Sequence, residues 1–225
     1  MSITVLTPTS RKTNANNIVE NFLRQNFHEK ELIVLLNHDN PNLYNVHENI
    51  SVYTLGSKIS LGRSLNFGIS KAKYDFIAKF DDDDYYGPYY LKNSYDSLIN
   101  SNSDIVGKTC FYIYFKDENL IGLKFSSNEN RFCMRVAGST LLFKKDIFQH
   151  VKFRDKNLGE DVDFCNDALR NNFKIFSNDR NDYIYIRGNK TYHTWKIDNN
   201  YLLRECINLI KTPSKVDFSN LWQVN

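Results

Sequence analysis

The sequence predicts an α/β fold with a mostly parallel central sheet flanked by helices, and a smaller mixed or antiparallel region. In the first half, short continuous apolar runs alternate with apolar residues at helical spacing, which is typical of a parallel sheet covered on both faces. After residue 84 the apolar runs become irregular, which indicates mixed strands. Because the chain contains no internal repeat and no Gly/Ser-rich linker, we expect a single domain over residues 1–225.

The first half is predicted to contain four strands and two helices. Apolar runs predict the strands at residues 2–7, 31–36, 50–55 and 76–80. The first helix follows a polar Pro/Thr/Ser turn, and its apolar face consists of Ile18, Val19, Phe22, Leu23 and Phe27. The second helix is predicted over residues 61–72, where apolar and small residues recur at helical spacing.

The second half is predicted to alternate shorter elements. Helical spacing predicts helices over residues 89–99, 146–150 and 160–170. Apolar and β-branched runs predict strands at residues 105–115, 120–125, 139–143, 173–176 and 183–187. Asp198 is placed to cap a last helix that ends before Pro213, with one face formed by Leu203, Cys206, Ile207 and Ile210.

The composition excludes several classes of protein. The 29 Lys and Arg against 26 Asp and Glu give a formal net charge of +3, too small to indicate a nucleic-acid binder. Hydrophobic residues make up 41% of the chain, which excludes intrinsic disorder. Four cysteines, at positions 110, 133, 165 and 206, lack the close spacing of zinc and redox motifs.

The same sequence predicts a cytoplasmic location. Scattered cysteines in a chain of this length are typical of reduced thiols inside the cell. The N-terminal residues do not have the pattern of a signal peptide, and no apolar run approaches the ~18 residues of a membrane span. Attachment at the membrane periphery is the alternative that this pattern leaves open.

Four consecutive carboxylates, Asp81 to Asp84, follow the predicted strand at residues 76–80. Their mutual repulsion would oppose folding unless a cation compensated it. Because residues i and i+2 of an extended chain point the same way, Asp81 and Asp83 can converge on one Mn²⁺ or Mg²⁺ ion. Ligands also bind at the carboxyl ends of strands in open α/β sheets. The alternative is a solvated acidic turn before Gly87.

Four further positions are candidates for chemistry. Glu160 and Asp161 begin a predicted helix, where the helix dipole favours acidic residues and where a carboxylate can also act as a general base. His193 is either a packed side chain or a metal ligand that completes the aspartate site. Arg63, in the first turn of the second helix, either pairs with a diphosphate or is simply exposed.

Together these segments resemble the family 2 glycosyltransferases, which have the Rossmann-like GT-A fold. The family's first strand and nucleotide-facing loop are matched by SITVLTPTSRK, and its Asp-x-Asp motif by FIAKFDDDD. The Glu-Asp motif is matched by GEDVDF, and the later metal-ligand histidine by YHTW. The small-residue stretch before the acceptor region is similar to AGSTLLFKKDIF, which contains Gly138. The resemblance covers most of residues 2–195 in the family's order.

The resemblance implies a role for each matched position. Asp83 would ligate a divalent cation, Asp81 would contact the metal or the ribose, and His193 would contact the metal or the diphosphate. Asp161 would be the catalytic base, with Glu160 as its partner at the acceptor site. The remaining positions would bind the donor, at the nucleoside, the ribose or the diphosphate: Thr7, Pro8, Thr9, Arg63, Asn66 and Asp82.

One segment departs from the family's pattern. After its second strand the family usually has an Asp-Asp-Gly-Ser type segment, whose first carboxylate recognises uracil. Here Asn37, His38 and Asp39 follow the strand. Asn37 can replace that carboxylate because its amide both donates and accepts hydrogen bonds, and Asp39 can replace it from a shifted register. A UDP-sugar is therefore the expected donor, but this segment leaves the identity of the nucleotide's base open.

The resemblance implies a metal-dependent, inverting glycosyltransferase that transfers a sugar from a nucleotide-sugar to a hydroxyl acceptor. Its setting would be bacterial surface glycan or glycoconjugate synthesis. Residues 1–100 would bind the donor, residues 101–211 would form the acceptor and catalytic half, and residues 212–225 would form a C-terminal tail. The expected acceptor is a glycan, a lipid-linked sugar or a protein. Apolar residues in the tail, Phe218, Leu221 and Trp222, indicate contact with the domain or with a second copy in a homo-oligomer.

Two alternatives belong to other functional classes. A sugar nucleotidyltransferase also uses metal-bound carboxylates, but it is expected to have a Gly-rich phosphate loop, and the first 14 residues contain no glycine. A catalytically silent nucleotide- or sugar-binding module would have no need for Asp83, Asp161 and His193 together. Both alternatives rank below the glycosyltransferase.

Overall fold

The computed structural model describes residues 1–38, 47–125, 127–188, 196–213 and 216–218. The predicted tail residues Leu221 and Trp222 lie outside this part of the chain, whereas the Phe218 ring packs 5.2 Å from that of Tyr85 and 5.3 Å from that of Tyr114. The four cysteines are free thiols. Among the helices described, none is long and apolar enough to cross a membrane.

The larger sheet is built on the N-terminal strands. Its β1 (Ser2–Thr9) lies between β2 (Glu29–Leu36) and β4 (Phe76–Lys79), and β3 (Ile50–Thr54) pairs with the outer side of β2. All of these pairs are parallel. Because both faces of this sheet are covered, most of β1 is buried, and β2 is buried from Leu32 to its end at Leu36. The predicted parallel half is therefore confirmed.

The same sheet continues beyond β4 with strands from the second half of the chain. In order they are β10 (Leu142–Lys144), β6 (Ile105–Gly107), β11 (Ile175–Ser177) and β9 (Arg131–Phe132). The β4–β10, β10–β6 and β11–β9 pairs are antiparallel, and only β6–β11 is parallel. The change of direction at β4–β10 marks the transition from the parallel half to the mixed half.

A second sheet of five strands packs against the first. Its order is β13 (Cys206–Lys211), β8 (Leu120–Lys124), β7 (Phe111–Phe115), β12 (Tyr183–Arg187) and β5 (Tyr85–Tyr86). All of its pairs are antiparallel except β7–β12, which is parallel. This is the smaller mixed region that the sequence predicts.

Five α-helices are described: α1 (Ala15–Arg24), α2 (Leu61–Lys71), α3 (Tyr90–Asn100), α4 (Glu160–Arg170) and α5 (Asn199–Arg204). The helix α2 begins at a true N-cap, because the Ser60 hydroxyl accepts a hydrogen bond from the Arg63 N–H at 3.2 Å. The helix α1 ends at Arg24, so Phe27 is not on its face as predicted. Phe27 is nevertheless buried, packed edge to face with Tyr95.

The predicted single strand at residues 105–115 is wrong. The chain forms β6 and β7 instead, and the two strands belong to different sheets. Lys108 to Cys110 cross between the sheets, and the Thr109 N–H is satisfied by the Ser177 hydroxyl at 3.1 Å. A continuous apolar pattern predicts extended backbone, but it does not reveal where a chain changes sheets.

The predicted last helix is also wrong over most of its length. Asp198 caps α5 as expected, by accepting a hydrogen bond from the Asn200 N–H at 2.7 Å, but the helix ends at Arg204. Cys206, Ile207 and Ile210 lie in β13, which pairs with β8 across a bulge. The β-branched isoleucines fit a strand, and the edge of β8 supplies the backbone partners that outweigh a short helical pattern.

Candidate active site

The four consecutive aspartates do not form one cluster. The side chains of Asp81 and Asp83 face a cavity of about 700 Å³, whereas Asp82 and Asp84 are buried. Asp82 and Asp83 form a turn between β4 and β5, and this turn directs neighbouring carboxylates to different sides. The repulsion among four carboxylates is relieved because each of them meets a different set of partners.

Asp82 is held by the end of β1 and the turn that follows. It accepts hydrogen bonds from the Thr9 hydroxyl and, at 2.9 Å, from Arg11 Nη1. The same Arg11 nitrogen pairs with Asp83. Burial, assisted by the charge of Asp83 and opposed by Arg11 and Thr9, raises the pKa of Asp82 to about 6. The structure thus places Asp82, predicted as a donor-binding residue, in an internal network.

Asp84 fastens the acidic segment to the second sheet. It is fully buried and accepts hydrogen bonds from the Tyr183 hydroxyl at 2.6 Å and from the Ile186 N–H at 3.0 Å. Burial raises its pKa well above the ordinary value, with a further contribution from the charge of Asp83. Asp84 therefore positions β5 against β12.

The cavity brings together the two acidic motifs of the sequence. Asp81 and Asp83 come from the end of β4, and Glu160 and Asp161 come from the first turn of α4. A positive charge lies between the two acidic motifs. It belongs to Lys79, which is almost fully buried and pairs with Asp81. Burial lowers the pKa of Lys79, but the charges of Asp81, Glu160 and Asp161 outweigh burial and raise it.

Lys79 is a site residue that the sequence motifs do not reveal. It lies in the apolar strand β4, where an isolated lysine resembles a solvent-facing position. Its role follows from the neighbours that the fold brings to it. Two of them, Glu160 and Asp161, are more than 75 positions away in the sequence.

The two acidic residues of α4 differ in exposure. Glu160 is buried, and burial raises its pKa while the charge of Lys79 opposes the rise. Asp161 is partly exposed at the cavity. The helix starts after Gly159, whose φ of +74° is left-handed, a conformation that favours glycine. That turn directs the first residues of α4 toward the end of β4.

Gly138 makes room for the Asp161 carboxylate. A Cβ atom at position 138 would lie 2.4 Å from Asp161 Oδ2 and 2.8 Å from Asp161 Cγ. Both residues line the cavity. The small residue in the stretch that resembles the family's pre-acceptor segment therefore has a direct steric reason.

A network of hydroxyl groups supports the floor of the site. The Asp81 N–H donates to the Tyr86 hydroxyl at 2.8 Å, and that hydroxyl donates to the Ser139 carbonyl at 2.7 Å. The Ser139 and Tyr183 hydroxyls are 2.6 Å apart, and Tyr183 leads on to Asp84. Sequence motifs did not single out these tyrosines, because they resemble ordinary core aromatics.

Among the predicted donor-binding residues that the structure describes, Asp81 lines this cavity and the others do not. Thr7 and Thr9 are buried in β1 and Pro8 is partly exposed there. The side-chain oxygen of Asn37 accepts a hydrogen bond from the Ser64 hydroxyl at 3.3 Å, which joins the ends of β2 and α2. Asp39 and His193 lie outside the described residues, so their predicted roles stay predictions.

Arg63 and Asn66, on α2, differ in their partners. Arg63 is exposed, and its nearest acidic partner is Asp155 at 3.8 Å, so it is free to turn toward a ligand. Asn66 is committed to the backbone of Phe153, donating to its carbonyl at 2.8 Å and accepting from its N–H at 3.0 Å. The structure gives Asn66 a role in fastening α2 to the segment before α4.

Asp81 and Asp83 are the described side chains that would hold a divalent cation. Two carboxylates on one cavity fit Mg²⁺ or Mn²⁺, which take one or two protein carboxylates and complete their coordination with water and phosphate oxygens. Within the described residues, no group of three or more His, Cys, Asp or Glu side chains is arranged to hold a metal ion. With two protein carboxylates, the remaining coordination positions of such a cation would be left to water and to a phosphate ligand.

Solved structures support the predicted fold. The chain is similar to TarS of S. aureus, residues 1–349, in complex with UDP-GlcNAc, with a TM-score of 0.64 and 16% identity over 83% of this chain. It is similar to the complex with UDP with a TM-score of 0.63. The chain covers 59% and 60% of those two TarS chains. The predicted GT-A fold class is confirmed.

Sequence comparison supports the predicted family. The O-antigen biosynthesis glycosyltransferase WbnJ of Escherichia coli is 27% identical over 144 residues, which are 57% of this chain and 56% of WbnJ. The chain thus spans little more than half the length of this relative. Residues 4–155, which include the acidic segment after β4, match the Glycosyl transferase family 2 profile. The chain therefore belongs to glycosyl transferase family 2.

Proposed function

We propose that the protein transfers a sugar from a nucleotide-sugar, with UDP as the expected nucleotide, to a hydroxyl group during glycan synthesis. The observation that carries this proposal is the meeting of Asp81, Asp83 and Asp161 at one cavity. The complexes of TarS with UDP and UDP-GlcNAc and the O-antigen biosynthesis role of WbnJ support the donor and the setting.

Asp83 and Asp81 would hold a Mn²⁺ or Mg²⁺ ion beside the donor diphosphate. When bound, the cation would supply positive charge that stabilises the diphosphate leaving group. Arg11, paired with Asp83, and Lys79, paired with Asp81, hold these carboxylates in place. The Tyr86 hydroxyl fixes the backbone of Asp81 at the same time.

Asp161 is the residue best placed to act as the base. It would take the proton of the acceptor hydroxyl as this oxygen forms its bond to the anomeric carbon. The bond from that carbon to the diphosphate oxygen breaks, and its electron pair leaves with the diphosphate. Attack on the face opposite the diphosphate gives inversion. Glu160, buried beside Lys79, would position α4 rather than accept the proton.

The donor and the cation are tested by calorimetric titration with UDP. We expect UDP to bind more tightly with Mn²⁺ or Mg²⁺ than with a chelator, and Asp83→Asn to lose most of that difference. Asp117→Asn, in the exposed turn between β7 and β8, is the matched control. Equal UDP affinity with and without metal in the unmodified protein would overturn the cation site.

The base is tested by Asp161→Asn. Transfer to the acceptor, or slow transfer to water, should fall by about 10²–10⁴-fold because proton removal contributes that much. UDP affinity should stay unchanged, since Asn keeps the size of the side chain. Asp163→Asn is the control, because Asp163 lies in the same helical turn but pairs with Lys156 outside the cavity. An active Asp161→Asn variant would refute the assignment.

A further inference from the structure

The cavity has a second wall that the proposed reaction does not use. The first wall consists of the acidic residues at the ends of β4 and α4. The rest of the lining comes from the five-stranded sheet, the segments beside its strands, α5 and the loop before Gly138. Six of these residues define the second wall, called here the basic wall: Lys108, Lys124, Phe125, Arg135, Tyr185 and Tyr201. The two walls differ in chemistry, which indicates that they bind different groups.

Aromatic rings form part of the basic wall. Phe125 is 44% exposed, and its φ of +54° is a left-handed conformation that is costly for a bulky side chain. Tyr201 is 53% exposed. Exposed rings at a cavity are surfaces on which the apolar face of a sugar can pack. The strained backbone at Phe125 holds such a ring at the cavity.

Positive charge forms the rest of this wall. The ammonium of Lys124 lies 4.4 Å from the centre of the Phe125 ring, and burial lowers the pKa of Lys124, so a nearby anion would stabilise its charge. Lys108 is buried with Asp179 at 3.8 Å. Arg135 is exposed and, within the described part of the chain, forms no salt bridge.

The backbone near Arg135 is hydrogen-bonded to the rest of this wall. It lies two residues before Ala137, whose N–H donates to the Lys108 carbonyl at 2.9 Å. Glu205 is the acidic residue on this side of the cavity. Because Asp179 offsets the charge of Lys108, the balance on this wall is two cations, Lys124 and Arg135, against Glu205. This excess favours an anionic ligand on the basic wall, whereas the first wall repels one.

We propose that the basic wall binds an anionic glycan acceptor, with a sugar ring on Phe125 and a carboxylate or phosphate group at Arg135. This proposal rests on the proposed function. Repulsion by Asp161 and Asp83 would keep the charged group away from the reaction centre. The acceptor would therefore enter in one orientation, with an uncharged hydroxyl toward Asp161.

The test measures how charge affects acceptor binding in the full chain saturated with UDP and Mn²⁺. Two pairs of probes are titrated: tetragalacturonate with its carboxyl-reduced form, and a phosphorylated oligosaccharide with its phosphatase-treated form. In at least one pair the charged member should bind about tenfold more tightly at low salt, as expected for one charge-assisted hydrogen bond. The difference should shrink at high salt. The pair that responds distinguishes a carboxylate from a phosphate.

Variants separate the two parts of the basic wall. Arg135→Gln should abolish the preference for the charged probe, and Phe125→Ala should weaken both members of a pair equally. Neither should change UDP affinity. Arg131→Gln and Phe132→Ala are matched controls, because both residues are exposed on β9 and lie outside the cavity.

The outcomes distinguish this proposal from the proposed function. No charge preference in either pair, no binding of any probe, or an equal effect of Arg131→Gln and Arg135→Gln would overturn the anionic acceptor while UDP binding persists. Failure of the unmodified chain to bind UDP would contradict the proposed function itself. Equal melting temperatures of variants and controls would show that the effects are local.

Discussion

At the scale of single residues, the site depends on the absence of a side chain at position 138. Gly138 leaves the space that the Asp161 carboxylate occupies, and any Cβ there would overlap with the carboxylate that we propose as the base. Gly107 is crowded to a similar degree, with a Cβ distance of 2.6 Å to Val136 Cγ2, but no carboxylate is involved. The two glycines therefore form a natural pair for comparison.

Gly138→Ala should inactivate the protein without unfolding it. Displacing Asp161 by an ångström should lower transfer by roughly 100-fold, because proton removal requires the base within hydrogen-bond reach. Overpacking should cost about 1–3 kcal/mol in both Gly138→Ala and the control Gly107→Ala. Kinetics with thermal denaturation would separate the two effects. Comparable loss of transfer in both variants would contradict the steric role of Gly138.

The acidic segment shows what residue patterns reveal and what they omit. The alternation of Asp81 and Asp83 with Asp82 and Asp84 was predictable from adjacent positions, although Asp82 and Asp83 form a turn and not extended backbone. The hydrogen-bonding and ion-pair partners of these carboxylates were not predictable in this way. Arg11 is about 70 positions away from Asp83, and Tyr183 lies about 100 positions from Asp84, distances at which only packing decides contact.

At the scale of elements, one buried carboxylate joins β12 to α3. Asp182 precedes β12 and accepts a hydrogen bond from the Asn93 side chain at 3.0 Å. Gly87 lies against it, since a Cβ there would be 2.5 Å from Asp182 Oδ1. Burial raises the pKa of Asp182, and Lys108 opposes the rise.

This connection predicts how stability depends on pH. Because the pKa of Asp182 is raised in the fold, the folded protein binds more protons than the unfolded chain above the ordinary pKa of 3.8. The contribution of Asp182 to the free energy of unfolding therefore falls as the pH rises from 3.8 through the raised pKa. Asp182→Asn should remove this loss of unfolding free energy, which is about 1.4 kcal/mol for each unit by which the pKa is raised. The melting temperature of the variant should therefore vary less with pH in that window.

Asparagine suits the position because residue 182 has a left-handed φ of +60°. The control is Asp117→Asn, an exposed carboxylate whose removal should leave the pH profile unchanged. A profile for Asp182→Asn that is parallel to that of the unmodified protein would show that another group causes the dependence.

The strand β13 shows that residues with helical spacing can form a strand when a sheet edge is available. Gly122 of β8 allows β13 to approach closely, since a Cβ there would lie 2.7 Å from Leu209 and 2.8 Å from Cys206. The helical spacing of Cys206, Ile207 and Ile210 predicts a helix, but four of the six residues of β13 pair with the edge of β8 on either side of a bulge. The availability of that edge depends on the whole sheet.

At the scale of the whole molecule, one apolar core joins the two sheets. A single cluster includes Val5 and Val106 of the larger sheet, Ile113 and Phe115 of the smaller one, and Leu202 of α5. The donor-binding and acceptor halves predicted from the sequence therefore share buried side chains. Halves that share a core cannot lose their packing independently.

Unfolding should accordingly be a single cooperative transition. Calorimetry should give equal calorimetric and van 't Hoff enthalpies for residues 1–225. Ile113→Ala, in the fully buried core of the smaller sheet, should cost about 2–5 kcal/mol and move the whole transition to a lower temperature. Two transitions, or a variant that shifts only part of one, would contradict the single domain.

The sequence by itself determined the α/β class, the four parallel strands and the two acidic motifs, because apolar periodicity and adjacent carboxylates are local properties. Only the tertiary structure decided that Lys79, Gly138 and the Tyr86 hydroxyl belong to the site, that residues 105–115 change sheets, and that β13 is a strand. These features depend on which distant surfaces meet. That outcome is set by the packing of the entire core and by the backbone hydrogen bonds available at sheet edges.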